Sequence, residues 1–368
     1  MKIFFAIKNL SSSVGGAERV LCDIACKLVN RGHEITIITF DKKNSNSFYK
    51  LDSRITKIDL SIGDSSSKAK FFESFLRYRA LKKVILKDKP SIVVGFMHSI
   101  YILIAFALIG SSIPVIASEH IVVNHYRKKP IQFLLLIASS FLVSQFTVLS
   151  SSIKRSYPYL IKRKMTVIPN PVKEIQLKKF PKKSFNRKTL LNIGRLERQK
   201  DHLTLIKAFS IIADSFPEWD LKIIGNGSLR NKLQNQINNL NLNKRVFLRE
   251  FTKHIDYEYT QADIFVISSL YESFGLVTAE AMSSGLPCVG FADCPGTNEL
   301  IIHEKTGLLV DNIGGRSASL ASALTRIMSD EKFRIILGKN GAKVIKTKFS
   351  DKEVEDSWEH LLYNATRN

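Results

Sequence analysis

The chain has few cysteines, few acidic residues for its basic content, and no metal-binding spacing. Four cysteines occur in 368 residues. Cys22 and Cys26 stand one helical turn apart with no histidine partner nearby, which argues against a zinc site. Four reduced, buried thiols in a cytosolic protein are expected. No signal peptide is expected either, because Met1-Lys2 runs straight into the strand-like Ile3-Phe4-Phe5-Ala6-Ile7. Asp and Glu number 33 against 55 Lys and Arg, for a net charge of +22. The imbalance is uneven: residues 1–175 hold 27 of the basic residues but only 11 of the acidic ones. Such a surface suits nucleic acid or an anionic membrane. There is no zinc-finger spacing, no RNP-like aromatic strand and no basic-aromatic interleaving, so nucleic acid is set aside in favour of the membrane. Ile131 to Ser150 is uncharged and long enough to span a bilayer. It carries Gln132, Gln145 and several serines, and Phe146-Thr147-Val148-Leu149 reads as a strand. The expectation is a buried helix, a turn and a core strand.

What is present is organised around Tyr271-Glu272-Ser273-Phe274-Gly275-Leu276-Val277-Thr278-Ala279-Glu280-Ala281-Met282, continuing to Gly285-Leu286-Pro287. The apolar run Ile264-Phe265-Val266-Ile267 before it reads as a buried parallel strand. A loop with Glu272 and Gly275 follows, then a helix closed by Gly285 and Pro287. First-turn N–H groups there are unpaired and the helix dipole favours anions, so phosphate can bind. Gly275 would admit a ligand close to the backbone. Glu272 and Glu280 only accept hydrogen bonds, so they suit hydroxyl groups. An ordinary strand–helix unit with two solvated glutamates is the plainer alternative.

Glu-x7-Glu enclosing Ser-Phe-Gly-Leu and followed by Glu-Ala-Met-x-x-Gly-Leu-Pro resembles the donor-sugar motif of family 4 of the retaining glycosyltransferases, which have the GT-B fold. Upstream, Gly194-Arg195-Leu196-Glu197-Arg198-Gln199-Lys200 is similar to that family's Gly-Arg-Leu-x-x-x-Lys. Near the start, Gly15-Gly16-Ala17-Glu18-Arg19-Val20 and Arg31-Gly32-His33-Glu34-Ile35 resemble its N-terminal domain, and Val167-Ile168-Pro169-Asn170-Pro171 its domain crossover. The resemblance covers nearly the whole chain and is densest from Leu191 to Leu309. It implies an α/β fold of two Rossmann-like domains with parallel sheets facing across a cleft. Residues 1–172 would bind the acceptor and 173–188 would be a linker. Residues 189–349 would bind the nucleotide sugar, and 350–368 would form a helix packing back on the first domain.

Site residues follow from the same resemblance. Arg195 and Lys200 would hold the donor diphosphate, Glu272 the sugar hydroxyls with the amides of Phe274, Gly275 and Leu276, and Glu280 the ribose. Gly16, Gly225 and the backbone of Phe251 would also meet the donor. Gly225-Asn226-Gly227-Ser228-Leu229-Arg230 lacks the third glycine of a dinucleotide fingerprint, because Arg230 stands there. His98 and His120 follow strands at the ligand-binding edge. His120 is the better candidate for a part in transfer; Gly15, His98, Arg127 and Lys128 are assigned to acceptor or membrane. Residues 41–66 read as a surface excursion. Lys68–Asp88 reads as a basic helix carrying Phe71, Phe72 and Phe75, able either to lie on an anionic membrane or to pack on the core.

No Asp-x-Asp occurs, so no metal is expected; Arg195, Lys200 and helix N-termini would stabilise the departing diphosphate. The expected enzyme is a metal-independent hexosyltransferase using a nucleotide sugar, UDP-linked on the weak hint of Asp293-Cys294-Pro295-Gly296-Thr297-Asn298-Glu299. It would build O-antigen, capsule or lipopolysaccharide on a lipid-linked or polysaccharide acceptor at the inner face of the cytoplasmic membrane. The rival readings are a GT-B epimerase and a non-catalytic nucleotide-binding scaffold. The oligomeric state is not legible.

Overall fold

The structure is a computed structural model describing residues 1–11, 15–63, 71–126, 129–175 and 187–367. Two compact units emerge, Met1–Pro171 with Asp351–Asn368, and Val172–Ser350.

In the first unit, seven short apolar runs become strands: β1 (Lys2–Ala6), β2 (Glu34–Thr39), β3 (Thr56–Asp59), β4 (Ile92–Phe96), β5 (Val115–Ser118), β6 (Gln145–Val148) and β7 (Met165–Val167). They form one parallel sheet in the order β3-β2-β1-β4-β5-β6-β7. Parallel strands need crossovers, which here are mostly helices covering both faces, so the central strands are buried on both sides. Phe4, Tyr101 and Phe146 pack on one face, and Phe5, Leu21 and Leu28 on the other. The order reverses between β1 and β4, and ligands bind α/β sheets at such a switch point, beyond the strands' C-terminal ends.

The Asp351–Arg367 helix completes the second face. Its Val354, Trp358, Leu361 and Leu362 enter the same core as the Gly16–Asn30 helix. Arg31 fixes the contact through Glu355, Asp356 and Glu359 at 3.2, 2.6 and 2.7 Å.

Two expectations are corrected here. Residues 41–66 are not all surface excursion: Thr56–Asp59 pairs with β2 as an edge strand. Its alternating polar residues give no apolar run, so only the open edge of β2 specifies it. The Pro130–Ser140 helix is not buried. Only Leu136, Ser139 and Ser140 are, while Ile131 and Leu134 are 73% and 64% exposed. The basic helix spans Phe71–Asp88, and its Arg77 does not face solvent. Arg77 lies buried over the Phe40 ring and donates to the Ile62 carbonyl. Lys68 and Lys70 lie outside the described residues.

The second unit repeats the plan with β8 (Lys188–Ile193), β9 (Trp219–Ile224), β10 (Val246–Arg249), β11 (Ile264–Val266), β12 (Cys288–Phe291) and β13 (Gly307–Val310). The order is β10-β9-β8-β11-β12-β13, all parallel. Its switch point lies between β8 and β11, so the loops after Ile193 and Val266 emerge side by side. Among the described residues, no helix is long and apolar enough to cross a membrane.

Candidate functional site

The loops after β8 and β11 are tied together by main-chain and side-chain bonds. Leu270 N donates to Gln199 O at 2.9 Å, Gln199 Nε2 to Tyr271 O at 2.8 Å, and Ser268 Oγ to Lys200 O at 2.8 Å. This lacing brings Lys200 Nζ to 2.5 Å from Glu272 Oε1, with both side chains largely buried. Ser269 Oγ donates to the same carboxylate oxygen at 2.6 Å. An ammonium has three donors, so Lys200 can hold Glu272 and still offer protons to an anion. Arg195, one strand-exit away, is exposed, and its side chain makes no ion pair or hydrogen bond among the described residues.

The Leu276–Ser283 helix begins at Gly275, which has φ +87°. A side chain would strain that left-handed conformation. Gly296, at φ +79°, backs the loop: a Cβ there would lie 2.7 Å from the Glu272 carbonyl oxygen. Phe274 turns its ring inward, edge-on to Phe349 with centroids 5.5 Å apart. Only its main chain is therefore offered to a ligand. Glu280 is buried and accepts a hydrogen bond from Tyr259 at 2.9 Å. Phe251, half-exposed just beyond β10, keeps an aromatic face open.

Gly225 has a packing reason of its own. A Cβ on it would stand 1.9 Å from the Gly194 carbonyl oxygen, so the loop carrying Arg195 needs a bare backbone beneath it. By contrast, a Cβ on Gly16 would enter open space. Among the described residues, nothing in the packing of the first unit demands that glycine.

In the first unit, His98 opens the helix His98–Ala107 after Met97, whose φ of +71° is rare for a side chain of that size. Its ring lies 5.4 Å from those of His125 and Tyr126, and burial beside His125 and Lys129 lowers its pKa to about 4. His120 follows β5 and stacks on Phe96 at 5.1 Å, with Trp358 on the far side of Phe96 at 6.1 Å. Thr147 Oγ1 donates to Ser118 Oγ, which lies 3.0 Å from His120 Nε2. Burial lowers the His120 pKa to about 4, so the ring is neutral at neutral pH. Gly15 caps the Gly16–Asn30 helix and its carbonyl accepts from Tyr49 at 3.3 Å. Arg127 and Lys128 lie outside the described residues.

Three residues that the sequence reading passed over shape these sites. Glu119 is fully buried and accepts from Tyr101, Tyr126 and Ile121 N at 2.6, 2.8 and 3.0 Å. Burial raises its pKa, and the three donors fix the loop that carries His120. Arg316 lies over the Phe291 ring, pairs with Asp293 at 2.8 Å and donates to Ser269 O at 3.2 Å. Tyr259 holds Glu280. The only available signal was residue type, since each partner lies far away in sequence or on another element.

The buried histidines make stability depend on pH. His98, His120 and His202 all have pKa values lowered by burial to about 4. In the unfolded chain they take up protons from about pH 6.5 downward, whereas the folded chain does not, so stability falls as pH drops from about 6.5 to 4. Each should cost about 1–2 kcal/mol by pH 5. Glu119, whose pKa burial raises, works in the opposite direction. Thermal unfolding followed by circular dichroism should show a Tm several degrees lower at pH 5 than at pH 7.5. An unchanged Tm would refute the buried neutral histidines.

Residues 174–344 match the family model of Glycosyl transferases group 1, and residues 14–174 that of Glycosyltransferase Family 4. The chain is 28% identical over 368 residues to the GalNAc-alpha-(1->4)-GalNAc-alpha-(1->3)-diNAcBac-PP-undecaprenol alpha-1,4-N-acetyl-D-galactosaminyltransferase of Campylobacter jejuni, covering 98% of each chain. Among solved structures, sucrose-phosphate synthase from Thermosynechococcus elongatus superposes with a TM-score of 0.87 at 20% identity, over 99% of this chain and 98% of that one. Anabaena HepE in complex with UDP-glucose superposes with a TM-score of 0.80 at 18% identity, over 99% and 100%. These structural likenesses show the fold.

Proposed function

The chain belongs to glycosyltransferase family 4 of the GT-B fold, and we propose that it is a retaining, metal-independent hexosyltransferase using a UDP-sugar. The donor would be a UDP-hexose or UDP-N-acetylhexosamine, and the acceptor a lipid-linked or polysaccharide chain of a cell-surface glycan. The observation that carries this reading is the buried Lys200–Glu272 pair at the switch point of the second sheet. It sets a cation for a diphosphate against a carboxylate for sugar hydroxyls, beside the open N-terminus of the Leu276–Ser283 helix.

The chemistry follows from that arrangement. The bond from the anomeric carbon to the diphosphate breaks and UDP leaves with the electron pair, its charge met by Arg195, Lys200 and the helix amides. The acceptor hydroxyl adds on the face that UDP vacates, and its proton passes to a departing phosphate oxygen. Glu272 orients the sugar through its hydroxyls and Glu280 holds the ribose. The Campylobacter relative is named for an undecaprenol diphosphate acceptor, and HepE was solved with UDP-glucose. The first supports a polyprenyl-diphosphate-linked acceptor and the second a UDP-sugar donor.

The test is saturation-transfer NMR against UDP-, GDP- and ADP-sugars, followed by transfer to glycans on polyprenyl diphosphate. One UDP-sugar should bind, and the product should keep the donor's anomeric configuration. Preference for another nucleotide would remove the UDP assignment, and an inverted product would remove retention.

A further inference from the structure

The solvent face of the Pro130–Ser140 helix is chemically inverted. Ile131, Leu134, Leu135 and Ala138 are exposed at the i, i+3, i+4, i+7 spacing of a single helical stripe. A helix on a water-facing surface keeps that stripe polar, yet this one carries no charge at all. Its opposite side is already occupied, with Phe133, Leu136 and Ile137 packed in the core of the first unit. The exposed stripe continues past the helix into Phe141 (65% exposed) and Leu142. The Tyr159–Lys162 helix packs beside it and adds exposed Tyr159 and Leu160. An apolar surface this continuous marks a contact with something apolar.

Charge decides what that is. Residues 120–173 contain nine Lys and Arg and no Asp or Glu. Lys162 and exposed Arg163 close the adjoining Tyr159–Lys162 helix. Lys164 donates to Ser140 O and Val143 O at 2.8 Å, which anchors this basic edge to the end of the apolar helix. An exposed apolar stripe with cations on the adjoining helix fits the boundary between acyl chains and anionic headgroups. The Phe71–Asp88 helix offers less: its exposed Phe72, Phe75 and Leu76 are interrupted by Glu73.

We propose that the Pro130–Ser140 helix, with Phe141, Leu142, Tyr159 and Leu160, is the surface by which the protein lies in an anionic lipid bilayer. The surface rests on the membrane-borne acceptor proposed above and states which residues enter the lipid. The side chains of the stripe reach about 5–10 Å below the headgroups while the helix axis stays parallel to the membrane plane.

Two experiments test it with the full chain. Sedimentation with vesicles of phosphatidylglycerol and phosphatidylcholine should retain the wild type at low salt. The triple variant Ile131→Ser, Leu134→Ser, Leu135→Ser should bind about tenfold more weakly or worse, with UDP-sugar affinity unchanged. The control Phe72→Ser, Phe75→Ser should retain binding. Both native tryptophans, Trp219 and Trp358, are buried, so Leu134→Trp adds a single exposed reporter. Its emission should shift to the blue on these vesicles and be quenched by brominated acyl chains. A wild type that ignores anionic vesicles would overturn both this surface and the membrane reading. Bound wild type with an equally bound triple variant, or with an unquenched Trp at position 134, would overturn this surface alone. Loss of exposure at position 134 through dimerisation, seen by light scattering, would also overturn it.

Discussion

Glu272→Ala is expected to lower kcat/KM by about a thousandfold, equivalent to about 4 kcal/mol of transition-state stabilisation. Two losses combine in that number. The sugar loses its carboxylate partner, and Lys200 loses the neighbour that sets its position 2.5 Å away. Lys200→Met should cost a similar factor, because the departing diphosphate then meets one cation fewer. The double variant should be little worse than either single one, since groups acting as a unit are not additive. Steady-state kinetics of the three variants with a saturating acceptor would decide. Wild-type turnover in Glu272→Ala would sink the assignment of the site. Lys200→Met should also lower stability by about 2–4 kcal/mol, because it leaves a largely buried carboxylate without its counter-charge. Glu272→Ala, which leaves behind a flexible ammonium on a longer stem, should cost less.

The second large effect is expected from a single methyl group. Gly225→Ala would place a Cβ 1.9 Å from the Gly194 carbonyl oxygen, inside any tolerable contact distance. The obstacle is main chain, so a rotamer change cannot relieve it; one strand exit must move. The displaced loop is the one holding Arg195, Leu196 and the start of the path to Lys200. Overpacking of this kind costs about 1–3 kcal/mol, and donor affinity should fall about a hundredfold as the cations lose register. Calorimetric titration with the UDP-sugar would measure it. Gly16→Ala is the instructive contrast: the space above Gly16 is open, so the fold should be untouched and any loss should appear only in ligand binding. Unchanged affinity in Gly225→Ala would mean that the Arg195 loop is more plastic than its packing indicates.

Much of this was legible before any coordinate. Continuous apolar runs such as Ile264–Ile267 and Ile3–Ile7 read as parallel strands because a strand buried on both faces has no polar side to show. The loops after them read as binding loops because glycines and charged residues cluster where strands end. The site residues of the second unit lie within a few residues of those strand ends, so a local pattern locates them. What was misread failed for a common reason. Thr56–Asp59 has no apolar run, and its pairing is supplied by the exposed edge of β2. The Pro130–Ser140 helix is uncharged and mostly apolar, and such a helix reads as buried whether protein or something else covers it.

The sequence by itself therefore determined the two parallel α/β units, the strand–loop–helix units and the identity of Arg195, Lys200, Glu272 and Glu280 as candidates. The strand–loop–helix units depend on periods of two and 3.6 residues and on short turns, whereas the two-domain plan and the four candidates depend on the resemblance to family 4. Only the tertiary structure decided that Lys200 touches Glu272, 72 residues away. It likewise decided that Glu119 rather than His120 is the buried anchor of its loop, that Arg316 ties Asp293 to the loop after β11, and that one apolar face points outward. Those facts depend on which strands lie side by side at a switch point and which helix face the neighbouring elements leave uncovered. Strand order and packing are set by close approach between distant segments, and no local spacing records it.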